Sequence, residues 1–209
     1  MSIIILFFSL VVLLFSVIIH EISHGYVAYS LGDPTAKYAG RLTLNPLKHL
    51  DMFGSVLLPL LLLIATAGQG PIFGWAKPVP INPYNLRDQK WGSLKVSIAG
   101  PISNIILALI FGLVIRFVPV SIFHAAPGVF LIFSFVVSIN IMLAIFNLIP
   151  IPPLDGSWIF LKLLPDSFDK VKVFLQQYGL FILIFLIFFG ALQGLNYIVE
   201  LLYYLITGI

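Results

Sequence analysis

The chain has 209 residues, of which 60% are hydrophobic and only 9% are charged. Soluble domains carry roughly 25% charged residues, so a water-soluble fold is excluded and residues 1–209 read as a single integral membrane domain. The net charge of +3 is spread over loops, which speaks against nucleic-acid binding, and the absence of cysteine excludes disulfides and thiolate metal sites.

Residues 3–31 form the first apolar segment. It lacks the basic flank and cleavage pattern of a signal peptide, and so reads as a retained transmembrane helix. Gly32-Asp33-Pro34 stops it. Alternation over Tyr38 to Leu44 predicts a short strand or hairpin. Residues 52–67 are apolar again, and the Gly/Pro-rich stretch that follows cannot be a continuous helix; its portion from Lys77 to Ile81 reads as extended. Residues 93–118 and 128–149 are full-length spans, followed by the broken segment IPPLDG and a short helix near 157–164. Residues 173–207 are apolar and about 50 Å long if helical. That exceeds the roughly 30 Å hydrocarbon core, so Gly190 and Gly194 mark a break. The fold class is all-α polytopic, with about five to six membrane segments, short membrane-associated strands and one re-entrant segment.

Basic residues set the topology. Lys37, Arg41 and Lys48 precede the 52–67 segment, and Lys77, Arg87, Lys90 and Lys95 follow it. The positive-inside rule puts both flanks in the cytoplasm, so residues 52–76 are expected to dip into the membrane and return.

His20-Glu21-Ile22-Ser23-His24 reads H-E-x-x-H. On a helix, residues four apart share a face with Cβ atoms about 6 Å apart, and two imidazoles so placed can bind one zinc ion. Glu21 is then placed to take a proton from a water activated by the metal. Ionisable residues inside a transmembrane segment are expensive and functional by default, and three within five residues need a shared partner. A third ligand must come from another segment. Asp155 fits, because the prolines before it block regular helix and Gly156 permits a tight turn; an ordinary helix-capping role is the alternative. Asn147 ends a span eight residues earlier and suits either an oxyanion donor or helix–helix glue. Asn140 fits glue better, Asn104 fits packing against the metal-site helix, and His49 and His124 read as boundary residues.

These blocks, HEISHG at 20–25, GPISN at 100–104 and NLIPIPPLDG at 147–156, resemble the site-2 protease family of intramembrane zinc metalloproteases, in the family's order. The resemblance implies one zinc ion per chain held by His20, His24 and Asp155, with Glu21 as general base and Asn147 stabilising substrate or intermediate. It implies cleavage of transmembrane segments of other membrane proteins within the bilayer, in the plasma membrane of a prokaryote, with the active site toward the cytoplasm. It also implies the short form, without a PDZ or regulatory domain. A divalent-cation transporter is the main rival, but it would carry several acidic residues along a path, and Glu200 is the one left in a span. An inactive scaffold is the other rival; intact His20, Glu21, His24 and Asp155 argue against it.

Overall fold

The computed structural model describes residues 3–66 and 76–209. Helix α1 (Ile3–Ser30) has 28 residues, about 42 Å at 1.5 Å per residue. Its run of Ile, Leu, Val and Phe has no internal breaker, and it stops where Gly32 takes φ +106°. Asp33 follows, fully buried. Its carboxylate accepts from the Thr35 N–H at 3.1 Å and the Thr35 hydroxyl. It also accepts from the Asn82 N–H at 2.7 Å and the Asn85 side chain at 2.9 Å. Burial pushes this carboxyl up, but the hydrogen bonds from Thr35, Asn85 and Asn82 outweigh it and hold the group below the ordinary carboxylate range. The end of α1 is thereby tied to the chain some fifty residues later.

The short α2 (Thr35–Tyr38) comes next, then a turn at Ala39-Gly40. The strand expected over 38–44 does not form: no strand occurs among the described residues. The alternating pattern finds no neighbouring strand, and the Gly40 N–H and Arg41 N–H bond back to Lys37 O and Ala36 O instead. A π-helical turn (Met52–Leu57) runs into α3 (Leu58–Ala65). The remainder of the expected re-entrant segment, 67–75, lies outside the described residues. Residues 76–82 carry no regular secondary structure and pair with no strand. The Lys77 N–H donates to His49 O at 2.9 Å, so the chain returns at 77 to the place it left at 49.

Helix α4 (Gly92–Phe117) is the central element and packs on α1, on α6 (Pro127–Asn147) and on α7 (Asp155–Leu163). The brief α5 (Val120–Ala125) joins α4 to α6. Then α8 (Asp169–Phe188) and α9 (Leu195–Thr207) are separated by a turn in which Gly190 adopts φ +69°, the break expected there. Ala108, Ile115, Phe123, Val137, Ile141 and Val199 form the buried core between α4, α5, α6 and α9. Large apolar side chains, Phe7 and Phe181 among them, face outward, a surface that hydrocarbon rather than water accommodates. Among the described residues, four helices are long and apolar enough to cross a membrane, Ile4–Ser30, Gly92–Phe117, Pro127–Asn147 and Asp166–Phe188, and two shorter apolar helices, Met52–Ala65 and Leu195–Thr207, accompany them. The expectation of five to six membrane segments corresponds to these four long helices and the two shorter apolar ones.

Candidate active site

One helical turn of α1 presents His20 and His24 on the same face, both buried. Their rings stand edge to face with centroids 4.7 Å apart. Each ring is oriented from its far side. His20 Nδ1 donates to Asn104 Oδ1 at 2.6 Å, and Asn104 Nδ2 donates in turn to Asn140 Oδ1 at 2.7 Å. Asn140 Nδ2 donates to Ser16 Oγ at 2.9 Å and to Val136 O at 2.8 Å. His24 Nδ1 donates to Val96 O at 2.7 Å. With both Nδ1 atoms acting as donors, the neutral form of each ring turns an Nε2 lone pair inward.

Asp155 meets them there. Pro152 and Pro153 deny a regular helix its donors, Leu154 is extended, and α7 begins at Asp155 itself. Gly156 is required for this placement: a Cβ on it would lie 2.2 Å from Leu148 O, so only glycine lets α7 start against the end of α6. Asp155 Oδ2 comes to 3.0 Å from His20 Nε2 and 3.3 Å from His24 Nε2, and the two Nε2 atoms are 3.1 Å apart. Three lone-pair donors thus converge, and Asp155 Oδ2 is buried with no hydrogen-bond partner. A proton can satisfy only one of the three pairs. A divalent cation satisfies all of them, and tetrahedral ligands at zinc distances lie about 3.3 Å from one another. The donor set therefore fits zinc. Among the described residues, His20, His24 and Asp155 are the one group of side chains able to hold a metal ion, with ligand atoms within 4.8 Å of each other.

Gly100 of α4 lies against the two rings. A Cβ there would sit 2.5 Å from His20 Cε1 and 2.5 Å from His24 Nε2. The GPISN block thus gives room for the two rings through Gly100 and holds one of them through Asn104. Glu21 accepts from the Val79 N–H at 2.9 Å. Asn147 donates one side-chain N–H to Leu143 O at 3.0 Å, which leaves the second for another acceptor. A cavity of about 470 Å³ is lined by His20, Glu21, His24, Asn147 and Asp155, along with Val79 and Trp158. All five residues singled out from sequence therefore face one cavity. His49 does not join them: it is buried, with Nε2 donating to Thr43 O at 2.8 Å. Asn140 is interhelical glue, as expected. Asn104 packs against the metal-site helix, as expected, and does so through its hydrogen bond to His20. The backbone N–H of Val79 was not foreseen, since it leaves no trace in side-chain chemistry.

The sequence model of peptidase family M50 matches residues 118–189, a stretch that holds Asn147 and Asp155. YwhC of Bacillus subtilis, which bears a provisional zinc metalloprotease name, is 41% identical over 196 residues, covering 90% of this chain and 82% of the relative. Rip2 of Mycolicibacterium smegmatis, named in the same way, is 32% identical over 193 residues, covering 91% and 70%. MJ0611 of Methanocaldococcus jannaschii, again so named, is 40% identical over a shorter stretch, 30% of either chain. No solved structure matches. A convergent His-His-Asp donor set in a chain with apolar membrane-length helices, together with relatives this similar over this length, establishes that the chain is a membrane metalloprotease belonging to peptidase family M50, the site-2 protease family.

Proposed function

We propose that this protein hydrolyses peptide bonds in or near transmembrane segments of other membrane proteins, with one zinc ion held by His20, His24 and Asp155, Glu21 as general base and Asn147 as a catalytic helper. The observation that carries this reading is the convergence of the three ligand atoms on a cavity between helices long and apolar enough to lie in a bilayer. A substrate reaching that cavity is itself membrane-embedded.

Zinc bound there supplies a Lewis acid that polarises the scissile carbonyl and acidifies water to a pKa of about 7. The chain's own groups do the rest. Glu21, one residue from a ligand and lining the cavity, takes the proton of the attacking water and passes it to the leaving amine. Asn147 turns its second N–H toward the oxygen on which negative charge develops. The buried rings of His20 and His24 keep their orientation because Asn104 and Val96 O hold their outer nitrogens. The substrate helix must unwind at the cut, since helical carbonyls and N–H groups are otherwise engaged.

The cytoplasmic orientation rests on the basic flanks, Lys37, Arg41 and Lys48 on one side of residues 52–76 and Lys77, Arg87, Lys90 and Lys95 on the other. The meeting of Lys77 with His49 supports a segment that enters and leaves on one side. The partners that follow are a transmembrane protein substrate and the bilayer of a prokaryotic cell membrane. The test is cleavage of a model transmembrane substrate by the purified protein in proteoliposomes, with zinc content measured in parallel. Wild type should cleave, and Glu21→Gln should keep its metal and lose cleavage. Full cleavage by Glu21→Gln would overturn the assignment of the base.

A further inference from the structure

Arg41 is a buried cation with no carboxylate within ion-pair distance among the described residues. Burying a guanidinium is costly unless its donors are used. Here the two terminal nitrogens go to three backbone carbonyls, while Nε is buried without a partner. One terminal nitrogen donates to Lys48 O. The other donates to Lys77 O at 2.5 Å and to Pro78 O at 3.2 Å. The fork thus joins the short 3-10 turn Pro46–Lys48 to the segment whose Pro78 and Val79 line the cavity.

Pro78 O and the Val79 N–H belong to one peptide group. A trans peptide is planar, with its carbonyl and N–H pointing to opposite sides. Arg41 grips the carbonyl side at Pro78, and the N–H on the other side donates to Glu21 Oε2 at 2.9 Å. Rotating that plane would break both contacts at once. Pro78 and Pro80 flank it and fix their own φ angles. Asp33 holds the same segment at its far end through the Asn82 N–H.

We propose that Arg41 is a positioning residue for Glu21, acting through the 78–79 peptide to hold the carboxylate at the cavity. This rests on Glu21 being the base. Arg41 touches neither the ligand group nor the side chain it positions, so its effect falls on turnover and not on metal binding. Misplacing a reacting group by about 1 Å can cost on the order of 100-fold in rate.

The experiment measures cleavage of a model transmembrane substrate in proteoliposomes by the full chain and its variants, with bound zinc determined for each. Arg41→Gln should lower kcat by about 100-fold with KM and zinc content unchanged. Val79→Pro, which removes the N–H itself, should do the same, and the double variant should be scarcely worse than either single one, because both sever one link. Arg41→Ala should regain turnover when methylguanidinium is added, a rescue that a misfolded protein cannot show. Wild-type kcat in Arg41→Gln, zinc loss in step with activity, or multiplying effects in the double variant would each overturn the proposal. Wild type and Glu21→Gln run alongside separate the two readings. If wild type is inert, or Glu21→Gln is active, the assignment of the base has failed; if those controls behave, a normal Arg41→Gln defeats the positioning role alone.

Discussion

Asn104 Oδ1 lies 2.6 Å from His20 Nδ1, and this contact decides which nitrogen of His20 faces the cavity. Asn104 cannot slip, because its amide nitrogen is held by Asn140, which is held by Ser16. Asn104 and Asn140 are both fully buried. Such partners of a metal-binding histidine commonly contribute 10- to 100-fold in affinity. Asn104→Leu should therefore weaken zinc binding by about that range, read by competition with a chelator of known affinity. Asn140→Leu should show a smaller loss in the same assay. Wild-type affinity in Asn104→Leu would sink the idea that this side chain sets the ring.

Gly100 poses a case in which two effects of one methyl group compete. In the middle of a helix, Gly→Ala is ordinarily stabilising by about 1 kcal/mol. At Gly100 the new Cβ would lie 2.5 Å from His24 Nε2 and 2.6 Å from His20 Nε2. The rings, held from behind by Asn104 and Val96, cannot retreat without losing those bonds. Gly100→Ala should fold and yet retain little zinc, measured as metal per chain after purification. A variant with full metal content would show that the rings can move.

What sequence showed of this site was its ionisable side chains. His20, Glu21 and His24 stand out because they are polar in an apolar helix, and Asp155 because prolines expose it at the end of another. The geometry that makes them a site came from groups whose chemistry is silent in one dimension: Gly100, Val96 O and the Val79 N–H. Arg41 was legible only as a topology-setting charge, since its three acceptors are backbone carbonyls that any residue supplies. The long helices followed from apolar runs bounded by glycine and proline. The expected strands failed because period-two alternation over a few residues says nothing about whether a second strand lies alongside. At 38–44 the backbone N–H groups of Gly40 and Arg41 bond locally, and at 77–82 the partners are His49 O, the Arg41 side chain, Glu21 and Asp33.

Asp33 gives a pH dependence with a defined sign. Hydrogen bonds to its carboxylate hold its ionisation below the ordinary value of 3.8 in the folded protein. A depressed carboxyl contributes stability above its unfolded pKa, and that contribution is lost as pH falls through the folded one. Asp33→Asn should lower Tm near neutral pH by about 4 °C, taking one charge-assisted hydrogen bond at about 1.5 kcal/mol. The gap between wild type and Asp33→Asn should narrow steadily as the pH drops below about 4. Thermal melts of both proteins from pH 3 to 7 check this, and a gap that widens toward acid would contradict it.

The meeting of Lys77 with His49 bears on how the chain threads the bilayer. The Lys77 N–H donates to His49 O at 2.9 Å, so whatever path residues 50–76 take, they start and finish side by side. The helical part that is described, Met52–Ala65, is about 21 Å long at 1.5 Å per residue, short of the roughly 30 Å core. A segment that crossed once would leave its two basic flanks on opposite faces, against both the contact and the charge bias. Single cysteines at positions 37 and 90, introduced into a chain with none of its own, should therefore react with a membrane-impermeant maleimide from the same side, and only after the inner face is opened. Labelling from opposite faces would mean that residues 52–76 cross the membrane.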